Sequence, residues 1–166
     1  MIRVATLGDR DDLTNMWRAL QTEQAGFDER FRPAADGAER WRNEVADWIR
    51  SDAHRLLVAE IDGRRVGFLA AGPWHAPPVY EPAFEVYISE IYVQPEHRRR
   101  GLARALVEAA QAWANGLGGV RLRLGVLANN APALAFWARL GARPFATELT
   151  LDAQQPTEAT PPTKAL

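Results

Sequence analysis

The chain contains no cysteine. That excludes disulfides, thiolate metal sites and a cysteine nucleophile, and it fits a reducing compartment. No stretch approaches the apolar length that a membrane span needs. Met1-Ile2-Arg3 leads into a short mixed segment, without the apolar run of a signal peptide. Neither sign of charge is in excess, since 20 basic and 21 acidic residues leave a net −1. Such a surface is not built to coat nucleic acid or an anionic membrane. His54, His75 and His97 are scattered, and no pair has metal-ligand spacing on a helix. No internal repeat is visible. The expectation from these absences is a cytoplasmic protein with no metal, no nucleic-acid partner and no membrane.

What is present suits one domain with a real core: 166 residues, 47% apolar and 25% charged. The patterned part is 1–151. Asp152 to Leu166 is rich in Pro, Thr and Ala and reads as a disordered tail. Ile2 to Ala5 is a short first strand. Asp9, answered by Asp12, is the expected cap of a helix whose face is Leu13, Met16, Trp17 and Leu20. Gly26 to Pro33 is a loop. Asp36 and Glu39 suggest a second cap, before Trp41, Val45, Trp48 and Ile49 at helical spacing. These tryptophans read first as core; the alternative is that Trp17, Phe27 or Trp41 lines a substrate pocket. Arg55 to Ile61 and Arg65 to Ala71 flank Asp62-Gly63, a strong hairpin signal. Gly72 to Pro82 is expected to be a proline-stiffened loop.

Phe84 to Val93 is rich in β-branched and aromatic residues and reads as a strand that Pro95 cannot continue. From Leu102 the apolar residues follow helical spacing through Leu106, Ala109 and Trp113, and Asn115-Gly116 closes that helix. Val120 to Val126 alternates as a strand with one buried face. A strand, a helix and a strand without a hairpin signal make a right-handed crossover, so the two strands are expected to be parallel. Asn130 caps a short helix ended by Gly141, and Phe145 to Leu151 is expected to be a last strand. The junction Arg98 to Ala103 is basic and small at once. A helix start leaves unpaired N–H groups with partial positive charge behind them. Gly101 and Ala103 allow close approach, and Arg98, Arg99, Arg100 and Arg104 add forked donors. The physical reading is a phosphate cradle, to which His97 lies near.

Arg98-x-x-Gly101-x-Ala103 after a strand, followed by Asn130-x-x-Ala133-x-x-Phe136-Trp137-x-x-x-Gly141, resembles the GNAT superfamily of acyl-CoA-dependent N-acetyltransferases. The first segment is similar to its acyl-CoA motif, Arg/Gln-x-x-Gly-x-Gly/Ala, and the second to its following helix. The resemblance is specific from about Ile88 to Phe145. It implies an α/β (α+β) fold with a central mixed, mostly antiparallel sheet, parallel splayed central strands and helices on both faces. It also implies that acetyl-CoA is the cosubstrate. Its pyrophosphate would meet Arg98, Arg99, Arg100, Gly101, Leu102, Ala103 and Arg104, and its pantetheine the bulged strand at Ile91, Tyr92 and Val93. Asn130, Ala133 and Phe136 match positions that border the cofactor.

The implied reaction is acetyl transfer to an amine-bearing acceptor by direct attack in a ternary complex. Glu90 is the best candidate base. It shares strand parity with Val86 and Ile88, on a largely apolar face where burial raises a carboxyl pKa. The competing reading is that Glu90 pairs with an arginine and only shapes the site. The family pattern often carries a tyrosine where this chain has Trp137, and an indole N–H cannot serve as the acid for the leaving thiolate. Tyr92, Tyr87 or a water is the substitute, with strand packing the competing role for both tyrosines. A non-catalytic acyl-CoA-binding or regulatory module on the same fold is the alternative. A nucleic-acid binder built on Arg98 to Arg100 has the net charge against it. The acceptor's identity and a homodimer both stay open.

Overall fold

The computed structural model describes residues 1–81, 83–119 and 121–151; Pro82, Val120 and the expected tail 152–166 lie outside the described residues. Its strands are β1 (Ile2–Val4), β2 (Arg55–Ile61), β3 (Arg64–Trp74), β4 (Glu85–Val93) and β5 (Arg121–Leu124). Its helices are α1 (Arg10–Phe27), α2 (Gly37–Arg50), α3 (Leu102–Gly116) and α4 (Ala131–Arg139). The strands form one sheet in chain order. β1 to β4 are antiparallel, and β4 pairs with β5 in parallel, as the α3 crossover requires. Among the described residues no helix is long and apolar enough to cross a membrane.

The sheet divides two cores. On one side Leu106, Val107, Ala110 and Ala114 of α3 pack with Trp137 of α4 against Val66, Leu69, Val86 and Ile88. On the other, Leu13, Met16, Trp17 and Leu20 of α1 pack with Trp41 and Val45 of α2 against Leu56, Val58, Phe68 and Tyr92. Burying a stripe of three or four apolar side chains on each of α1, α2 and α3 is what stabilises elements too short to stand alone. Trp17 and Trp41 are buried and stack with centroids 5.5 Å apart. The Asp62-Gly63 hairpin forms, with φ of 47° and 74° at its two central residues, the pair of left-handed conformations a type I′ turn needs.

Four expectations are corrected. β3 runs on through Gly72, Pro73 and Trp74, which were expected to be loop. β2 has ended by then, its last pair being Arg55 with Ala71, so β3 is locally an edge where the missing proline N–H leaves no ladder bond unmade. Phe145 to Leu151 forms no strand, and Phe145, Leu149 and Leu151 are exposed. Alternating residues make a strand only where an edge pairs with them. Asp36 makes no capping hydrogen bond; its carboxylate turns to Arg40. Asp9 does not cap α1 either. It is fully buried, accepts from Thr6 N at 2.7 Å and binds both Arg3 and Arg65.

The Arg3 guanidinium and the Thr6 amide outweigh the effect of burial and hold the Asp9 carboxyl far below the usual carboxylate range. A depressed folded pKa means the stabilisation is present above the unfolded pKa and is lost as pH falls through the folded one. Asp9→Asn is expected to cost about 2 kcal/mol, less than the roughly 3–5 kcal/mol of a fully buried pair, because Arg3 and Arg65 are 25% and 29% exposed. Urea melts across acid pH check this. The gap between variant and parent should close only well below the ordinary aspartate range.

Candidate active site

β4 and β5 share rungs from Glu85↔Arg121 to Ile88↔Leu124 and then part. At the same level the β3–β4 register jumps from Ala71↔Ile88 to Ala70↔Glu90, so Ser89 is an extra residue, a β-bulge. Beyond it β4 continues to Val93 with no β5 partner. Gln94 N–H donates to Val66 O at 2.9 Å. Strand alternation then sends the main-chain groups of Tyr92 and Glu90 to β3, and those of Ile91 and Val93 to the open edge. The trio Ile91, Tyr92 and Val93 is thus divided. Val93 O is taken by Arg98 Nε at 2.7 Å, which leaves Ile91 as the residue with both main-chain groups turned to the gap.

The chain leaves β4 through a short turn and enters α3 at Gly101. Arg99 and Gly101 take positive φ of 60° and 81°, and the first helical bond runs from Ala105 N to Gly101 O. No N–H from Arg99 to Arg104 finds an acceptor among the described residues. Six consecutive donors at the positive end of a helix, with a glycine whose added Cβ would meet nothing within 4 Å, make an open anion cradle. The arginines divide. Arg98 is turned inward: it bonds Val93 O, lies 5.5 Å over the Tyr92 ring and pairs with Glu23 at 2.5 Å. It braces the turn between β4 and α1. Arg99 and Arg100 are exposed, and Arg104 pairs with Glu108. Nδ1 of His97 is buried with no hydrogen-bond partner among the described residues.

The bulge also decides where the acid sits. Glu90 was expected to share a face with Val86 and Ile88. The extra residue at Ser89 reverses the alternation, so Glu90 lies on the α1–α2 face beside Trp41 and not in the α3 core. Trp41 Nε1 donates to Glu90 Oε1 at 3.3 Å and Ser89 Oγ to Oε2 at 2.6 Å. No described cation pairs with it. Burial raises its carboxyl pKa, with Glu44 adding to the rise; the Ser89 and Trp41 hydrogen bonds oppose it. Tyr92, the other candidate catalytic residue, is buried in the α1 core with Arg98 across its ring. Burial raises its phenol pKa, and its side chain does not line the gap.

Tyr87 is the residue sequence reasoning undervalued. It is 38% exposed and lies on the same face as Ser89. A Cβ added to Gly125 would sit 3.2 Å from its hydroxyl, which places that group where β4 and β5 separate. The signal for it was its two-residue spacing from Ser89, whose own role was not legible. A cavity of about 110 Å³ opens on this face, lined by Trp48, His54, Ala71, Gly72, Pro73, Tyr87 and Ser89. On the opposite face α4 follows β5. Asn130 Oδ1 accepts from Ala133 N at 3.1 Å and caps it. Phe136 meets Trp137 edge-on at 5.1 Å, and Trp137 is buried in the α3-side core with Ala133 and Phe136 packed nearby. The described residues hold no cluster of three or more metal-ligating side chains.

The arrangement has relatives. The profile of the Acetyltransferase (GNAT) family matches residues 15–142. An uncharacterized N-acetyltransferase of Methanocaldococcus jannaschii is 28% identical over 134 residues, covering 80% of this chain and 57% of its own length. This chain thus spans little more than half of that relative. An uncharacterized N-acetyltransferase of Archaeoglobus fulgidus is 32% identical over 111 residues, 64% of this chain and 69% of its own. Among solved structures, the BH1408 protein from Bacillus halodurans superposes with a TM-score of 0.81 at 18% identity, covering 92% of this chain and 99% of its own. The aminoglycoside acetyltransferase AAC(6')-Iy, in complex with a CoA-linked bisubstrate analogue, gives 0.73 at 18%, covering 93% and 98%. At these identities the solved structures speak for the fold.

Proposed function

Because the chain belongs to the GNAT acetyltransferase family, we propose that it is a cytoplasmic N-acetyltransferase that moves an acetyl group from acetyl-CoA to a primary amine. The observation that carries the reading is the run of unaccepted amides from Arg99 to Arg104, set beside a strand edge left open after Ile88. The first suits a diphosphate, the second an arm of amides. Acetyl-CoA supplies a thioester, whose carbonyl carbon accepts the amine as its bond to sulfur breaks. The residues of this chain do the rest. Arg99 to Arg104 hold the phosphates. Ile91 N–H, facing the gap, donates to the oxygen on which charge develops. Glu90, with its raised pKa, takes the proton that the amine must lose before or during its attack. Tyr87 is better placed than Tyr92 to return a proton to the thiolate, because its hydroxyl stands at the parting of the strands. Trp137 is buried and cannot do so.

The test is thiol release from acetyl-CoA with and without amines, run beside calorimetry of acetyl-CoA binding. Heat on binding together with amine-stimulated thiol release supports the reading. Binding without stimulation by any amine leaves only the non-catalytic module. Absence of binding at millimolar acetyl-CoA sinks both. Arg98→Ala is expected to weaken acetyl-CoA roughly tenfold, about 1.4 kcal/mol, by freeing Val93 O and loosening the turn. Calorimetry reads it. A change below twofold would show that the brace does not order the cradle.

A further inference from the structure

The cavity on the α1–α2 face has a composition that narrows the acceptor. One wall is Trp48 stacked on His54, with ring centroids 5.5 Å apart and planes 4° from parallel. His54 is fixed there. Its Nδ1 lies 3.2 Å from Ser51 Oγ, and its ring sits against Gly72, where a Cβ would come within 2.6 Å. Only a residue without a side chain leaves room for that wall. Tyr87, Ala71, Gly72 and Pro73 also line the cavity. A lining of three rings and small apolar groups suits a planar apolar body. The volume, about 110 Å³, compares with the roughly 150 Å³ of a dry cavity that takes up benzene.

The charge at its ends is one-sided. Ser89 lines the cavity and donates to Glu90, which has no described cation beside it. Glu44 adds a second negative charge nearby. The closest arginine on β5, Arg123, faces Tyr87 in register, but its guanidinium bonds Glu85 and lies between the Trp74 and Phe145 rings, 3.7 and 4.6 Å away. Behind Ser89 the Glu90 carboxyl can meet an ammonium, and among the described residues lining the cavity no arginine or lysine can meet a carboxylate. A polycation would need several acidic groups along its length, and the walls provide rings.

Resting on the acetyltransferase reading, we propose that the Trp48–His54–Tyr87 slot is the acceptor subsite and takes a monoamine borne on a planar apolar group, without a carboxylate. The amine head lies at Ser89 and Glu90, and the ring lies against the aromatic lining. The test uses the wild-type chain saturated with acetyl-CoA, with thiol release measured for 2-phenylethylamine, phenylalanine, spermidine and kanamycin. Phenylethylamine is expected to exceed each of the others at least tenfold in kcat/KM. Trp48→Ala should raise its KM at least fivefold, with kcat within twofold and acetyl-CoA affinity unchanged. The wild-type ranking decides alone if that variant does not fold. Equal or better use of phenylalanine, spermidine or kanamycin overturns the slot and leaves acetyl transfer standing. Bound acetyl-CoA with all four amines inert overturns it too. No binding of acetyl-CoA removes both readings together.

Discussion

Gly101→Glu is expected to abolish acetyl-CoA binding while leaving the fold in place. The residue has a φ of 81°, so any L side chain there costs about 1–2 kcal/mol. An added Cβ meets no other atom within 4 Å, so there is no steric reason for the domain to unfold. The new side chain instead projects into the space that the amides of Arg99 to Arg104 surround. A carboxylate there competes for those donors and repels the phosphates. At roughly 4 Å and an effective dielectric near 20, that repulsion is about 4 kcal/mol per charge pair, a loss on the order of a thousandfold in affinity. Gly101→Ala is the control, since it carries the backbone strain without the charge and should weaken binding far less. Calorimetry reads the affinity and circular dichroism the fold. A folded Glu variant with the parent's affinity would refute the cradle.

Glu90→Gln is expected to slow turnover by about 10²–10⁴, the usual contribution of a general base, with acetyl-CoA affinity kept. The carboxylate must be ionised to accept a proton, so parent activity should rise with pH through the raised pKa of Glu90. That limb lies above the ordinary glutamate range because burial dominates. The variant should lack it. Stability moves the other way. A carboxyl whose folded pKa is raised binds its proton more tightly when folded, so its ionisation weakens the fold as pH rises through the window between the two pKa values. The amide removes that penalty. The variant should melt higher than the parent near neutral pH, with the gain fading as the pH becomes acid. Full activity at every pH would remove Glu90 from the mechanism. A variant less stable at neutral pH would show that the hydrogen bonds from Trp41 and Ser89 outweigh the desolvation.

Much of the fold was legible because local and global signals agree there. Leu102, Leu106 and the Asn115-Gly116 stop define α3. Asp62-Gly63 defines the hairpin, and the lack of a turn signal between β4 and β5 made them parallel. The open helix start at Gly101 was legible for the same reason: a glycine and a basic run before an apolar periodicity have a local meaning. What failed depends on partners that no local pattern announces. Pro73 can lie in a strand only because β2 stops short of it. Phe145 to Leu151 alternates like a strand, but no described strand pairs with it. Asp9 looked like a cap, yet distant groups, Arg3 and Arg65, claim it, and the Arg98 side chain is held by Glu23 and Val93, partners that no local pattern marks. Glu90 was assigned to the wrong face, since two-residue counting breaks at a bulge the sequence does not mark.

The extra residue at Ser89 has a consequence for which strand geometry this chain can adopt. Draw the same residues into regular pleating, with Ser89 taken into the ladder, and strand alternation would put the carboxylate on the face of Val86 and Ile88. It would land among Leu106, Val107 and Trp137, an ionised group in hydrocarbon with nothing to neutralise it. The inserted residue therefore keeps the larger core dry as much as it opens the cleft.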